Sequence, residues 1–536
     1  METSTLRSPK MDRFTFLWLY YQGCGEGFFF SQRKNKLRSP KFRTKRPFLI
    51  WHLYSFVKHQ QRLPGQMLSP PLRKVFVLLS CTFLGLICGT LYLYSSYSPQ
   101  FADRLKYSVS DSSSIALLGT LGVAISGPLA GKVVDKRGYT VALVIGGLSI
   151  VTGYLGLKKQ YDLHHSNVSL LAFLFVLVGL GSTFINLTCL KCCAVSFPSI
   201  RGVATSLPLA LYGLSALFYS VVASMFFPGD TSLFLGFLAY SSGIIFMVCA
   251  PSVISCDREH MKRRQVHETI ELTTVGSATS RSVTPMPLIL LVPLVPSSPA
   301  ISNIALPKLH NQSLVTSFPF WLLFVTTGAL AALGQMYIYS VGYMVKALLA
   351  NHSDASMIQR DQQLQVGLLS VANCFGRIMG GVLGDIITQS FGRSRSWLLY
   401  LPTFGFLITQ AMGLTTSAYE ALSLVSLLTG FFYGFTFCIM PLIVGDIFGM
   451  ANFSYNWGIV GLAPILPSFY FTSLFGLIYD SHTVAKAGEP AVCMLGKACY
   501  NSIFELTIVV SILTLVLVTV FNFGPLEEKE RVPHVA

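Results

Sequence analysis

Charge is scarce in this 536-residue chain: Asp, Glu, Lys and Arg make up 12% of it, against 52% hydrophobic residues and a mean hydropathy of +0.58. A soluble globular surface carries roughly twice that share of charge, so a water-soluble fold is excluded. Catalytic signatures are missing as well. No Gly-x-x-x-x-Gly-Lys-Ser/Thr loop is present to cradle the phosphates of ATP, and neither a nucleophile elbow nor a His-Glu-x-x-His pair occurs. The chain is therefore read as a non-enzyme that needs no cofactor. The 12 cysteines show no zinc spacing, and most lie in apolar runs, as Cys81, Cys88, Cys374 and Cys438 do, where a thiol acts as a small hydrophobe. The adjacent His164 and His165 read as surface residues, so no metal site is expected. Cys493 and Cys499 differ, because they flank a short polar loop and can close a disulfide if that loop faces an oxidising compartment.

What the chain has in abundance is long apolar runs. Six fall at about 74–96, 113–134, 139–157, 168–190, 203–226 and 231–251, and six more at about 319–346, 365–388, 396–414, 420–444, 456–479 and 502–523. About 20 apolar residues suffice to cross a bilayer as a helix. The spacing predicts an all-α membrane protein, with twelve transmembrane helices in two pseudo-symmetric six-helix halves at 74–251 and 319–523. A basic, unstructured extension (1–73), a linker (252–318) and a tail (524–536) complete the chain. The linker opens with Arg258, Lys262, Arg263 and Arg264 and continues through Ser, Thr and Pro. Its apolar patch Leu288–Val295 is too short to span, and Pro285, Pro287, Pro293 and Pro296 break any helix there.

The net charge of +16 is not spread evenly: the first 74 residues hold 15 Lys/Arg and 3 Asp/Glu, a local +12, leaving +4 for the rest. That is no nucleic-acid footprint, and no nucleic-acid partner is expected. Arg33, Lys34, Lys36, Arg38, Lys41, Arg43, Lys45 and Arg46 form a run that suits anionic lipid headgroups or, more plainly, a solvated tail. Counting the end residues Lys132 and Lys346 with their adjoining loops, the loops after even-numbered crossings carry 13 Lys/Arg against 8 after odd-numbered ones, which by the positive-inside rule puts both termini and the linker in the cytosol. The glycosylation sequons at Asn167 and Asn351 then fall in exoplasmic loops, and those at Asn311 and Asn452 on the cytosolic side. No cleavable signal is expected; crossing 1 acts as signal anchor, with Met67 a plausible start just ahead of it.

Between crossings 2 and 3 the chain reads Gly131, Lys132, Val133, Val134, Asp135, Lys136, Arg137, Gly138. This resembles the loop signature Gly-x-x-x-Asp-Arg/Lys-x-Gly of the major facilitator superfamily, matching at Gly131, Asp135, Lys136 and Gly138. Gly131 lets its helix approach a neighbour closely. Asp135 sits where it can face the positive amino-terminal end of a helix from the other half and hold one side of the molecule shut. The plainer alternative is a tight turn whose charges anchor the helix ends. Crossing 8 repeats the theme in Gly376, Arg377, Gly380, Gly381, Gly384 and Asp385, with Gly381 and Asp385 spaced as Gly131 and Asp135 are. Arg377 lies two turns inside Asp385, about 12 Å at 1.5 Å per residue, which is near the midplane. A cation there is a candidate functional site, unless it pairs with backbone carbonyls or snorkels to the interface.

Over about 74–523 the chain resembles the nodulin-like and monocarboxylate-porter-like branch of that superfamily, including the fungal Mch1-type transporters, on Phe197–Gly202 and on Asn456, Trp457 and Gly458. The resemblance implies a secondary transporter that moves a small solute, an organic anion such as a carboxylate, by alternating access. It also implies that Arg377 binds the carboxylate. The Asp that proton-coupled relatives place four residues earlier is Asn373 here, and the Lys that oxalate carriers use in crossing 11 is missing, so proton coupling and substrate class stay open. Crossings 1 and 7 line the cavity in this fold, so Tyr92, Tyr337 and Gln335 join Arg377 and Asn373 as candidate substrate contacts, alongside Tyr94 and Tyr339. Anchoring in the interfacial belt competes for these tyrosines. Asn186 and Gln410 are the other polar residues inside runs, and Glu505, Asp446 and Asp480 read as solvated charges at crossing ends. The expected partners are a small-molecule substrate and membrane lipids, the expected state a monomer, and the location a vacuolar rather than a plasma membrane. A receptor or scaffold that keeps the fold without transport is the rival reading; the coupled charges Asp135 and Arg377 favour transport.

Overall fold

A computed structural model describes residues 70–94, 97, 101, 104–106, 109–164, 167–227, 230–278, 314–349, 355–483 and 493–524. All of them belong to one compact unit, and residues 1–63 lie outside the described residues. Met67, the basic amino-terminal run, the Leu288–Val295 patch, the sequons at Asn311 and Asn351 and the carboxy-terminal tail also lie outside them.

Every regular element among the described residues is helical, as a bilayer demands, since a helix satisfies each backbone N–H and C=O within its own segment. Among the described residues, twelve helices are long and apolar enough to cross a membrane: α1 Leu72–Leu93, α2 Leu117–Arg137, α3 Tyr139–Asp162, α4 Val168–Ser196, α5 Arg201–Phe226, α6 Thr231–Asp257, α7 Phe318–Leu349, α8 Arg360–Gln389, α9 Arg395–Thr415, α10 Tyr419–Phe448, α11 Phe453–Ser481 and α12 Asn501–Phe523. They match the six-plus-six reading one for one. Three are not uniform: α1 finishes and α9 begins as a 3-10 helix, and α11 is interrupted between Val460 and Ile465, where Pro464 lacks an N–H to continue the ladder. The helix that contains α6 runs on through Pro251 to Ala278, so the first part of the segment read as a linker is helical.

Within the first half the core is built on large, fully buried side chains such as Phe175, Tyr154 and Tyr219, and within the second on Tyr337, Phe406 and Phe504. The halves meet along two seams, α2 against α11 and α5 against α8. Small residues line both. A Cβ on Gly131 would overlap the Ser454 carbonyl and one on Gly202 the Gly381 carbonyl, while Gly127 and Gly458 face each other backbone to backbone. Close approach of this kind is what drives helix association where no hydrophobic effect operates.

Candidate functional site

Two sets of residues organise the molecule, one at the end that carries the α2–α3 and α8–α9 turns and one near the middle of the seams.

At the turn-bearing end, Asp135 is 2% exposed. Its carboxylate accepts hydrogen bonds from the backbone N–H groups of Tyr455 at 2.7 Å and Ser454 at 3.3 Å, the first turn of α11. Lys191 of α4 pairs with the same carboxylate and also donates to the Ala451 carbonyl at 3.1 Å. Asp385 stands in the matching place in the second half. It accepts from the N–H groups of Gly202 at 2.7 Å and Val203 at 2.8 Å, the first turn of α5, and pairs with Arg395 at 3.0 Å. A carboxylate on the free N–H groups of a helix start satisfies donors that have no intrahelical partner and complements the positive end of the helix dipole. Each Asp belongs to one half and each helix start to the other, so both bonds cross the seams.

Around Asp385 the charges extend further than the sequence suggested. Arg395 also donates to Asp446 at 2.6 Å and to the Gly384 carbonyl at 3.0 Å, and Arg201 of the first half reaches Asp446 at 3.0 Å. Asp446, an exposed charge near the end of α10, is thus shared by two arginines. Gln389 adds a further link from the second half, to the Ser199 carbonyl of the first. Of the other motif residues, Lys136 is exposed. Gly138 adopts φ +83°, a backbone that L side chains rarely take, and a Cβ there would meet the Asp257 carboxylate. Asp257, at the end of α6, accepts from the N–H groups of Tyr139 and Thr140, a third aspartate on a helix start, this one within a half.

At the centre, Arg377 is 5% exposed. It neither snorkels nor finds an acid. Its Nε donates to Asn373 Oδ1 at 2.8 Å, one guanidinium nitrogen donates to the Leu209 carbonyl of α5 at 2.8 Å, and the group lies 5.3 Å from the Tyr212 ring centroid. No carboxylate pairs with it among the described residues. Among the described residues, two of its five N–H donors find acceptors, both neutral oxygens. Gly213 makes room for this arrangement, since a Cβ there would stand 3.1 Å from Asn373 Oδ1 and 3.3 Å from Arg377 Nε.

Tyrosines gather around the guanidinium from four helices. Tyr92 of α1 meets Tyr212 of α5 edge to face, with ring centroids 6.0 Å apart. Tyr433 of α10, which is buried, lies within electrostatic reach of Tyr92, of Tyr339 on α7 and of Arg377. Tyr92 and Tyr339 keep 41% and 45% of their surface exposed, so the cluster is open to space outside the packed core. Of the five predicted contacts, Arg377, Asn373 and Tyr92 are brought together, through the Asn373 hydrogen bond and the Tyr212 ring, while Gln335 lies half-buried on α7. Tyr337 is not among them, because its side of α7 packs into the core of the second half, where it is fully buried with its hydroxyl 2.8 Å from Ser426. Tyr94 packs on Phe175, and Gln410 accepts from Thr507 within the second half. Tyr212, Tyr433 and Lys191 were missed. Tyr212 and Tyr433 sit in uniformly apolar runs without a motif, although Lys191, a lone cation ahead of Cys192, carried the same signal that singled out Arg377.

The loop between α11 and α12 contains a Cys493–Cys499 disulfide, with Cα atoms 6.1 Å apart. It lies at the end of the bundle opposite the aspartate seams.

Comparison with known proteins bears on the family and the fold. Residues 74–303 match the family model described as Nodulin-like. The chain is 27% identical to an uncharacterised membrane protein of Saccharomyces cerevisiae over 84% of this chain and 94% of that one, and 28% identical to a probable transporter MCH1 of Wickerhamomyces anomalus over 75% and 79%. Among solved structures, the major facilitator superfamily proton:xylose symporter XylE superposes with a TM-score of 0.57 at 13% identity, covering 85% of this chain and 97% of that one. At that identity the likeness speaks for the fold.

Proposed function

We propose that the chain is a transporter of the Mch1 type within the major facilitator superfamily, and that it moves a small organic anion across its membrane by alternating access, with the carboxylate held at Arg377. One observation carries the reading: a buried guanidinium at the seam between the halves, bonded to neutral oxygens, with the Tyr212 ring 5.3 Å away and Tyr92 against that ring. A cation so placed is costly unless something anionic or strongly dipolar completes its shell. Its unused N–H groups suit the fork geometry of a carboxylate. Without an acid beside it, substrate has no internal competitor.

The aspartate seams are the gate of this reading. With Asp135 on α11 and Asp385 on α5, the end carrying the α2–α3 and α8–α9 turns is shut, and opening it breaks both sets of bonds. The two carboxylates are equivalent switches that bias a two-state equilibrium. We place that end in the cytosol, together with both termini. The loop charge balance supports this, and so does the disulfide, since Cys493 and Cys499 sit on the opposite side and such bonds form in oxidising compartments. The open cluster then faces away from the cytosol. A vacuolar membrane, rather than the plasma membrane, is the location we propose.

The test is uptake of radiolabelled short-chain mono- and dicarboxylates into proteoliposomes carrying the full chain, with and without a proton gradient. Anion uptake that Arg377→Gln abolishes supports the reading. Uptake confined to neutral or cationic solutes, or untouched by Arg377→Gln, overturns it.

A further inference from the structure

Away from the central site, the α8–α9 corner carries a cation that neither the gate nor the proposed substrate uses. Arg395, two residues on, is committed to Asp385, Asp446 and the Gly384 carbonyl. Arg393 is different: its backbone N–H closes the end of α8 on the Ile387 carbonyl, and its exposed side chain has no partner among the described residues. Asp385 and Asp446, the described acids of this corner, are already taken by arginines, so neither is left for Arg393.

Beside it lies a shallow groove of about 500 Å³, lined by Leu383, Ile386, Ile387, Phe391, Trp397 and Leu398 together with Arg393. Phe391 is 70% exposed and Ile386 41%. A groove that is apolar along its length and cationic at one rim would be a liability in water. Here it lies where two spans end, Gln389 on α8 and Arg395 on α9, so its wall is at the depth of acyl chains and its rim at that of headgroups. Trp397 is the residue type that favours this boundary.

We propose that this groove binds one anionic phospholipid, with an acyl chain along Leu383, Ile387 and Leu398 and the phosphate on the Arg393 guanidinium. The position explains both halves of the chemistry: the apolar wall selects a lipid over a free phosphate, and the unpaired guanidinium selects an anionic lipid over a zwitterionic one. The bound lipid would sit on the corner that holds Asp385 through Arg395, so its presence favours the closed arrangement of the α5–α8 seam. The inference does not depend on which solute is transported.

The experiment is native mass spectrometry of the full chain, released from mixed micelles containing phosphatidylglycerol or phosphatidylcholine. The wild-type protein is expected to retain one more phosphatidylglycerol than Arg393→Gln, with apparent affinity for that lipid about fivefold higher, the weight of one basic side chain at an anionic surface. Ile387→Trp, which fills the groove and leaves the guanidinium, should lose the same lipid. Melting temperature in detergent serves as the fold control for both variants. Equal retention of the two lipids by the wild type, an Arg393→Gln variant that loses nothing, an Ile387→Trp variant that keeps its lipid, or equivalent protection by inorganic phosphate alone would each overturn the proposal.

Discussion

Asp135 and Asp385 occupy the same place in opposite halves: each lies four residues after a seam glycine, Gly131 or Gly381, and each accepts hydrogen bonds from the first backbone N–H groups of a helix in the other half. The repeat of a local spacing has become a repeat of a tertiary contact. What differs is the cation behind each. Lys191 comes from α4 in the first half and Arg395 from the start of α9 in the second, so the two seams are equivalent in backbone geometry and distinct in side-chain chemistry.

Replacing Asp135 by Asn keeps the acceptor oxygen and removes the charge. The loss is expected to be about 0.3–2 kcal/mol, the range for a charge at a helix end, enough to shift the gate and too little to unfold the protein. A cysteine placed at Ser454 should then react faster with a maleimide applied from the α2–α3 side, while expression is unchanged. Lys191→Met should cost more, about 3–5 kcal/mol, because Asp135 would stay buried without its cation. Identical labelling in all three proteins would reduce the motif to a turn.

Gly202 has no room to change. A side chain there pushes into the Gly381 carbonyl and the Asp385 carboxylate at once, and overpacking of this kind costs about 1–3 kcal/mol. Gly202→Val is expected to hold the α5–α8 seam apart and to slow substrate flux severalfold. Spin-label distances across that seam should lengthen in the variant, and an unchanged distance distribution would refute the assignment.

Arg377→Lys keeps the positive charge and loses the fork. Anion binding should fall to near the level of Arg377→Gln, and Asn373→Asp should weaken it too by placing an acid on the guanidinium that Asn373 now contacts at 2.8 Å. Tyr212→Leu removes the ring 5.3 Å from the guanidinium carbon, with an expected loss of about 0.5–2 kcal/mol. Competitive uptake measurements read all three, and full activity in Arg377→Lys would make the residue a simple point charge.

The Cys493–Cys499 bond gives an independent handle on orientation. After reduction, an impermeant maleimide should label these two thiols from outside intact vesicles in which the exoplasmic side faces out, whereas protease should cut the 279–313 segment only after the membrane is opened. The reverse pattern would invert the topology and move the gate to the other side.

Much of this architecture was legible in the linear chain. The twelve crossings were, because transfer of apolar residues into a bilayer is summed locally along the sequence and needs no tertiary partner. The Gly131–Asp135 and Gly381–Asp385 spacings were too, since four residues on a helix bring two side chains to one face whatever lies opposite. Arg377 stood out because a cation in an apolar run is exceptional in any fold. Tertiary structure alone decided which way each helix faces. A membrane helix is apolar all round, so its sequence carries little amphipathic signal to say which stripe meets protein, lipid or cavity. For that reason Tyr337 and Tyr339, two residues apart on α7, could not be told apart in advance, and one is a core residue while the other opens on the central cluster. The sharing of Asp446 between Arg395 and Arg201, and the convergence of Tyr212 and Tyr433 on Arg377, have the same origin: they depend on the rotation and seam packing of helices far apart in the chain.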